Sequence, residues 1–203
     1  MYSSFAHEFS KTRTRPWPCV AAFLSSFPTC DRPILLDAGC GNGRNLVAAA
    51  ASGFDAEGFD VCPEFVEICR SRGLTVTSGN IESPTNPITN KYDAILCIAV
   101  LHHLRSDAAR QRAMGYMYEA LNPGGAMLVT VWSVESDGAR FPKTFCLGDN
   151  EVPWQGSASR YYYIYDKPTI DRFLDEFRAI YPASEVTLSW EEQNWIVNIK
   201  KPV

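Results

Sequence analysis

The residues of this chain best suited to chemistry lie in one short run, Asp37-Ala38-Gly39-Cys40-Gly41-Asn42-Gly43, followed by an acid at Asp60. An apolar stretch, Pro33-Ile34-Leu35-Leu36, precedes the run and is short enough for a buried strand. The Ala-rich segment over 44–51 that follows suits a helix. Glycines at a strand-to-helix junction let the backbone turn tightly and let a ligand touch the main chain. A dinucleotide fingerprint needs its third glycine three positions after the second. Arg44 stands at that place, and the third glycine arrives one residue early at Gly43. Asp60 closes a second strand-like stretch after Glu57-Gly58-Phe59, where a carboxylate can accept from two ribose hydroxyls. A glycine-rich turn alone is equally a tight structural turn. With Asp60 in register, the spacing points to a nucleotide-type cofactor, S-adenosylmethionine rather than a dinucleotide.

Other side chains capable of chemistry are scattered. Histidine ordinarily titrates near neutrality and often marks sites, so His102-His103 are either site groups or cap the next helix and bond backbone carbonyls. Arg160 sits beside Tyr161 and Tyr163, a planar cation among stacking faces that suits an unstacked base. The alternation of Tyr161, Tyr163 and Tyr165 fits one packed strand face equally well. Trp154 carries the same two readings, and Arg13 and Arg15 are either anion holders or ordinary surface charge.

The elements that must position these residues alternate strand and helix, which predicts a mostly parallel sheet covered on both faces. Helices are expected over 17–27, 44–52, from Cys62-Pro63 to a stop at Gly73, over 107–121 and over 168–180. Strands are expected over 33–37, 55–60, 74–77, 92–98, 126–132, 185–190 and 195–200, the last two as an antiparallel pair. The least regular part, 133–163, is rich in Gly, Pro and Ser and reads as a lid or binding loop. The chain therefore reads as one domain over 1–203: a helical cap over 1–30, a cofactor-binding core over 31–132, a substrate-side loop over 133–165, and a closing helix and strands over 166–203.

Composition narrows the class. A chain of 203 residues, 46% hydrophobic, has enough apolar surface for one α/β core. No apolar run is long enough to span a bilayer, and the N-terminus lacks the basic start and apolar run of a secretory signal. The seven cysteines are odd in number and include no CxxC pair, which argues for reduced thiols, a cytoplasmic location with room for a nuclear pool, and no metal site. A net charge of −4 argues against tight unaided binding of nucleic acid.

The order DAGCGNG, Asp60, Gly79-Asn80-Ile81, YDAILCIAVLHHL and LNPGG, over 33 to about 132, resembles the class I S-adenosylmethionine-dependent methyltransferases. The resemblance implies a Rossmann-like three-layer α/β sandwich. Its seven-stranded, mostly parallel sheet has the order 3-2-1-4-5-7-6 with the last strand antiparallel. It further implies that Gly39 and Gly41 admit the methionine part and that Asp37 supports its ammonium group. Asp60 would hold the ribose, Asn80 and Ile81 flank the adenine, and the backbone at Cys97 and Ile98 complete the floor. Many relatives have Asp where Asn80 stands; an amide oxygen also accepts, without charge assistance.

Blocks outside that core resemble a narrower family, the tRNA wobble-uridine carboxymethyl methyltransferases. These are YSSFAHEFSKTRTRPWP over 2–18, Val152-Pro153-Trp154, Arg160-Tyr161-Tyr162-Tyr163-Ile164-Tyr165 and Gln193-Asn194-Trp195. The stretch between Ser133 and Val152 is shorter than that family leads one to expect. The resemblance implies esterification of the carboxymethyl group on the wobble uridine of a tRNA anticodon loop, and work alongside a small zinc-binding activator protein. His102 would orient the carboxylate and His103 fix its loop. Arg13 would hold the cofactor carboxylate and Arg15 a tRNA phosphate. Arg160 and Tyr161 would act at the reacting group, with Tyr163 and Trp154 against the base.

Such an esterification needs no strong base, because the nucleophile is already ionised, with a reference pKa near ~4. It asks for a donor on the carboxylate, apolar walls and exclusion of water. The exposed strand over 74–78 has few charges to protect it, so the activator is expected to add a strand there, near Leu74 and Val76, beside apolar residues of the Phe65 helix. A methyltransferase for a small carboxylate, hydroxyl or thiol metabolite, or a non-catalytic cofactor-binding scaffold, are the alternatives.

Overall fold

The computed structural model describes residues 15–28, 32–83, 88, 91–135, 145–154 and 158–203, with backbone alone at Trp154 and Ala158. In chain order the elements are α1 (Pro18–Ser25), β1 (Ile34–Ala38), α2 (Arg44–Ala51), β2 (Asp55–Asp60), α3 (Pro63–Ser71) and β3 (Thr75–Ser78). Then come β4 (Tyr92–Ile98), a 3₁₀ turn (Leu101–His103), α4 (Asp107–Ala120) and β5 (Leu121–Trp132). The chain closes with β6 (Gly148–Trp154), β7 (Ala158–Ile164), α5 (Lys167–Ile180), β8 (Glu185–Glu191) and β9 (Asn194–Lys200).

Local chemistry explains the boundaries. α1 and α3 open with proline in the first turn, where a missing N–H costs nothing. Ser106 caps α4 by accepting from the Ala109 N–H, and Asp166 with Thr169 forms a reciprocal capping box on α5. The turn between β8 and β9 places Glu192 and Gln193 at φ 44° and 64°, matching the twist of the strands it joins.

Seven strands form one sheet in the order β3-β2-β1-β4-β5-β9-β8, with β6 and β7 in a separate two-stranded sheet. Without that hairpin the order is 3-2-1-4-5-7-6, and β9 runs antiparallel to both its neighbours, as the resemblance implies. Side chains alternate across the sheet. Leu36, Ile95, Cys97, Met127, Val129 and Val197 pack on one face with α4 and α5. Leu35, Ala94, Leu96, Leu128 and Ile196 pack on the other with α1, α2 and α3. Each large apolar side chain buried this way contributes about 1.5–3 kcal/mol, which is why a sheet covered on both sides needs near-continuous apolar strands.

Two departures from the sequence reading have physical causes. β5 starts at Leu121 rather than near 126: the Asn122-Pro123-Gly124-Gly125 segment joins the sheet through an irregular register opposite Tyr92 and Ala94. A Cβ at Gly125 would sit 2.9 Å from the Asn122 carbonyl, so only glycine lets the chain pass. The 133–163 region is not irregular throughout, because β6 and β7 pair from Gly148↔Ile164 to Trp154↔Ala158. Their polar, Pro-interrupted sequence hides the strand signal, as expected of a two-stranded ribbon outside the main sheet. Among the described residues, no helix is long and apolar enough to cross a membrane.

Candidate active site

One cavity of about 470 Å³ opens at the carboxyl ends of β1, β2, β4 and β5. That is where open α/β sheets bind ligands, and the volume suits a cofactor with its acceptor group. On the β2 side, the glycine loop after β1 is held by the end of β2. The N–H groups of Gly39 and Cys40 both donate to the Phe59 carbonyl, at 2.9 and 3.0 Å. Asp60 is buried and accepts from the Gly41 N–H through Oδ2 and the Cys62 N–H through Oδ1, each at 2.8 Å. Each oxygen keeps a lone pair toward the cavity it lines. The glycines are required in two ways. A Cβ on Gly39 (φ +79°) would meet Val100 at 2.5 Å, whereas a Cβ on Gly41 would meet no protein atom within 4 Å and would occupy the space a ligand needs.

Asp37 lies beneath the loop, fully buried, and neither carboxylate oxygen has a hydrogen-bond partner. Burial raises its pKa to about 7, partly offset by the neighbouring Asn45 side chain and opposed again by the charge of Asp60. A buried acid without a partner behind a ligand cavity fits a cationic group on the ligand. The raised pKa also fixes a sign. Stability from the protonated acid is full below about pH 4 and is lost as the pH rises through about 7. Asp37→Asn should therefore gain on the parent protein by about 2 kcal/mol between pH 5 and pH 8 in the ligand-free state, a slope that urea denaturation at each pH will measure.

The β5 side is built from the 3₁₀ turn and the hairpin. His102 is buried, and its Nδ1 accepts from the backbone N–H of Trp132 at 3.2 Å. A backbone N–H can only donate, so the neutral ring carries its proton on Nε2, which is buried without a protein partner in a residue of the cavity wall. His103 is the opposite tautomer: its Nδ1 donates to the Tyr161 carbonyl at 2.9 Å and ties the turn to β7. Burial, reinforced by the positive charge of Arg160, pushes His102 well below the usual histidine range and His103 down to about 4. Both rings are therefore neutral at neutral pH, and Arg160, 6% exposed, is the buried cation here. Its guanidinium lies 5.5 Å over the Tyr162 ring, and Tyr162 stacks on Trp132 at 4.5 Å with 10° between the planes. A cation, a neutral N–H donor and aromatic walls thus face an acidic side, an arrangement suited to an anionic acceptor beside a cationic ligand.

Of the residues singled out in the sequence, Gly39, Gly41, Asp60, Asn80, Ile81, Ile98, His102, His103, Arg160 and Tyr161 line this cavity. Cys97 does not line it, since its side chain is consumed by the core on the α4 face. Tyr163 lies away from it, under the Arg110 guanidinium at 4.1 Å. Arg15 is exposed outside the cavity wall. Arg13 and the Trp154 side chain lie outside the described residues. Asn80 is exposed, and its Oδ1 is taken by the Glu82 N–H at 3.0 Å. On the outer strand, Val76 is buried and Leu74 packs toward Gly43, while Phe65, Val66 and Ile68 of α3 are buried, so none of them offers an apolar docking face. The outward positions of β3 are Thr75 and Thr77.

The sequence reading missed Trp17, Trp132 and Tyr162, all in the cavity wall. Two were accessible to reasoning: Tyr162 is two residues from Arg160 and so shares its face, and Trp132 ends a central strand at the ligand side.

Comparison with known proteins agrees with this geometry. The sequence model of a family described as a methyltransferase domain matches residues 12–187. The chain is 37% identical over 138 residues to a tRNA (carboxymethyluridine(34)-5-O)-methyltransferase of Arabidopsis thaliana, covering 68% of this chain and 33% of that protein. It is 34% identical over 140 residues to the protein of that name from Schizosaccharomyces pombe, covering 69% and 59%. The match thus spans about a third of the plant protein and less than two thirds of the yeast one. Among solved structures, an S-adenosylmethionine-bound amino pentose methyltransferase from Micromonospora echinaspora superposes with a TM-score of 0.65 at 18% identity, covering 99% of this chain and 98% of that one. That likeness shows the fold.

Proposed function

The chain belongs to the class I S-adenosylmethionine-dependent methyltransferases, in the family whose curated members include the tRNA (carboxymethyluridine(34)-5-O)-methyltransferases, and on that footing we propose that it esterifies the carboxymethyl group of wobble uridine in tRNA. The observation that carries this reading is the buried Arg160 beside the proton-bearing Nε2 of His102, in one cavity with the Asp60-tied glycine loop. A carboxylate takes both: an ionic contact from the guanidinium and a neutral N–H hydrogen bond.

Asp60 faces the ribose hydroxyls, Gly39 and Gly41 leave room for the methionine part, and Asp37 supplies the counter-charge for its ammonium. Asn80 and Ile81 flank the adenine. When bound, the cofactor supplies an electrophilic methyl group. Arg160 and His102 hold the acceptor carboxylate, which needs no base at neutral pH. Trp132, Tyr162 and His103 exclude water, so these contacts act in a low dielectric and the acceptor loses its hydration before transfer.

The tRNA is the acceptor we favour, and the activator pairs with the backbone edge of β3 past Thr75 and Thr77. A small-carboxylate acceptor is the second reading. It is favoured by the pairing of the rim residue Arg105 with Glu151 at 2.7 Å and by the net charge of −4, both of which work against binding of a polyanion. Incubation of labelled S-adenosylmethionine with tRNA carrying 5-carboxymethyluridine, with activator present, should give a base-labile ester on the wobble nucleoside. No ester, under conditions where the cofactor binds, overturns the proposal. Equal esterification of the free nucleoside would transfer support to the second reading.

A further inference from the structure

Cys40 belongs to the glycine loop and lines the cavity, while Cys69 is a fully buried residue of α3. Both sulfurs converge on one atom, the Gly41 carbonyl oxygen, Cys69 at 3.3 Å and Cys40 at 3.9 Å. A Cβ on Gly43 would lie 2.9 Å from the Cys69 sulfur, so the loop is moulded around this side chain. The other described cysteines have no such partner: Cys97 is sealed in the core, and Cys62 bonds Glu64.

We propose that Cys40 and Cys69 form an oxidation site in which a hydroperoxide converts the two thiols to a disulfide and thereby disables the cofactor loop. With hydrogen peroxide, two S–H bonds and the O–O bond break, one S–S bond forms, and the oxygens leave as two waters with both thiol protons. The ligand cavity gives a small peroxide its path to Cys40. Because both sulfurs reach the Gly41 carbonyl, Cys69 stands ready to resolve a sulfenic acid formed on Cys40.

The loop has little freedom to absorb the bond. A disulfide requires the sulfurs at about 2.05 Å, well inside hydrogen-bond contact. Cys40 is fixed by its N–H to Phe59, and its neighbour Gly41 by its N–H to Asp60. Drawing the Cys40 sulfur toward α3 therefore moves the peptide between Gly39 and Gly41, the one a ligand must touch. A bound ligand at that peptide in turn shields Cys40, so occupancy and oxidation exclude each other.

This consequence rests on the cofactor reading, but the thiol pairing does not. The test treats the full-length chain with hydrogen peroxide, with and without S-adenosylhomocysteine, followed by intact mass, peptide mapping and titration calorimetry. Expected are a loss of about 2 Da mapped to a Cys40–Cys69 disulfide, at least about tenfold weaker S-adenosylhomocysteine binding, and recovery with dithiothreitol. Ligand added first should slow the pairing, and Cys69→Ser should keep its affinity under peroxide. Reduced thiols at 40 and 69, overoxidation without a disulfide, or a disulfide with unchanged affinity each overturn the proposal. The disulfide map decides the pairing even if the reduced protein binds no S-adenosylhomocysteine, a result that would sink the cofactor reading alone.

Discussion

Arg160→Ala should lower single-turnover methyl transfer to a carboxylate acceptor by about 10³-fold at saturating cofactor, the scale of losing a preorganised charged donor. S-adenosylhomocysteine binding should stay within about twofold, because in the proposed reading Asp60 and the glycine loop hold that ligand from the β2 side. The size follows from burial: both neighbouring histidines are neutral, so neither replaces the guanidinium. Arg160→Lys keeps the charge and loses the planar fork, so an intermediate loss of about 10–100-fold is expected. Rapid-quench kinetics with calorimetry on each variant separates transfer from binding. Unchanged transfer in Arg160→Ala would reduce Arg160 to a packing residue of β7 and remove the main support for a carboxylate acceptor.

Asp60→Ala should act on the other half of the site, weakening S-adenosylhomocysteine binding by about 100-fold or more, given about 1.5–3 kcal/mol for each hydrogen bond to a charged group. Two effects combine: the ribose loses its acceptor, and the N–H groups of Gly41 and Cys62 lose theirs. Asp60→Asn distinguishes this from a simple loss of charge. An amide has one oxygen, so its NH₂ must face one of two backbone N–H donors, and the variant should bind nearly as poorly as the alanine one. Binding by Asp60→Asn within threefold of the parent would show that the carboxylate does not fix the loop.

Cofactor-side residues were legible in the sequence because backbone geometry dictates them. Positive φ values of +79° at Gly39 and +53° at Gly41 favour glycine, and Asp60 stands where β2 ends. Apolar runs made strands such as β4 and β9 legible, while their order in the sheet came from the family resemblance carried by DAGCGNG, Asp60 and LNPGG. The acceptor side was harder. Pairing of β6 with β7 is a long-range property of a polar, Pro-containing ribbon, so Tyr161 and Tyr163 were singled out, whereas Tyr161 and Tyr162 line the cavity beside Arg160 and Tyr163 does not. Which imidazole bears its proton on which nitrogen depends on the Trp132 N–H and the Tyr161 carbonyl, contacts that span 30 and 58 residues.

The β6–β7 ribbon contributes Arg160 and Tyr162 to the wall yet shares no ladder with the main sheet, joining it through the Ser133↔Tyr165 bridge next to the ribbon and the His103 contact. In the proposed reaction the acceptor would thus be met by the ribbon and the donor by the main sheet, two separately hydrogen-bonded parts of the chain. Exchange of the ribbon can change the acceptor while the donor pocket, seated in the sheet, is inherited intact. A chimera carrying another methyltransferase's ribbon on this scaffold would be the evolutionary experiment in miniature, with donor affinity as the conserved trait and acceptor choice as the one free to drift.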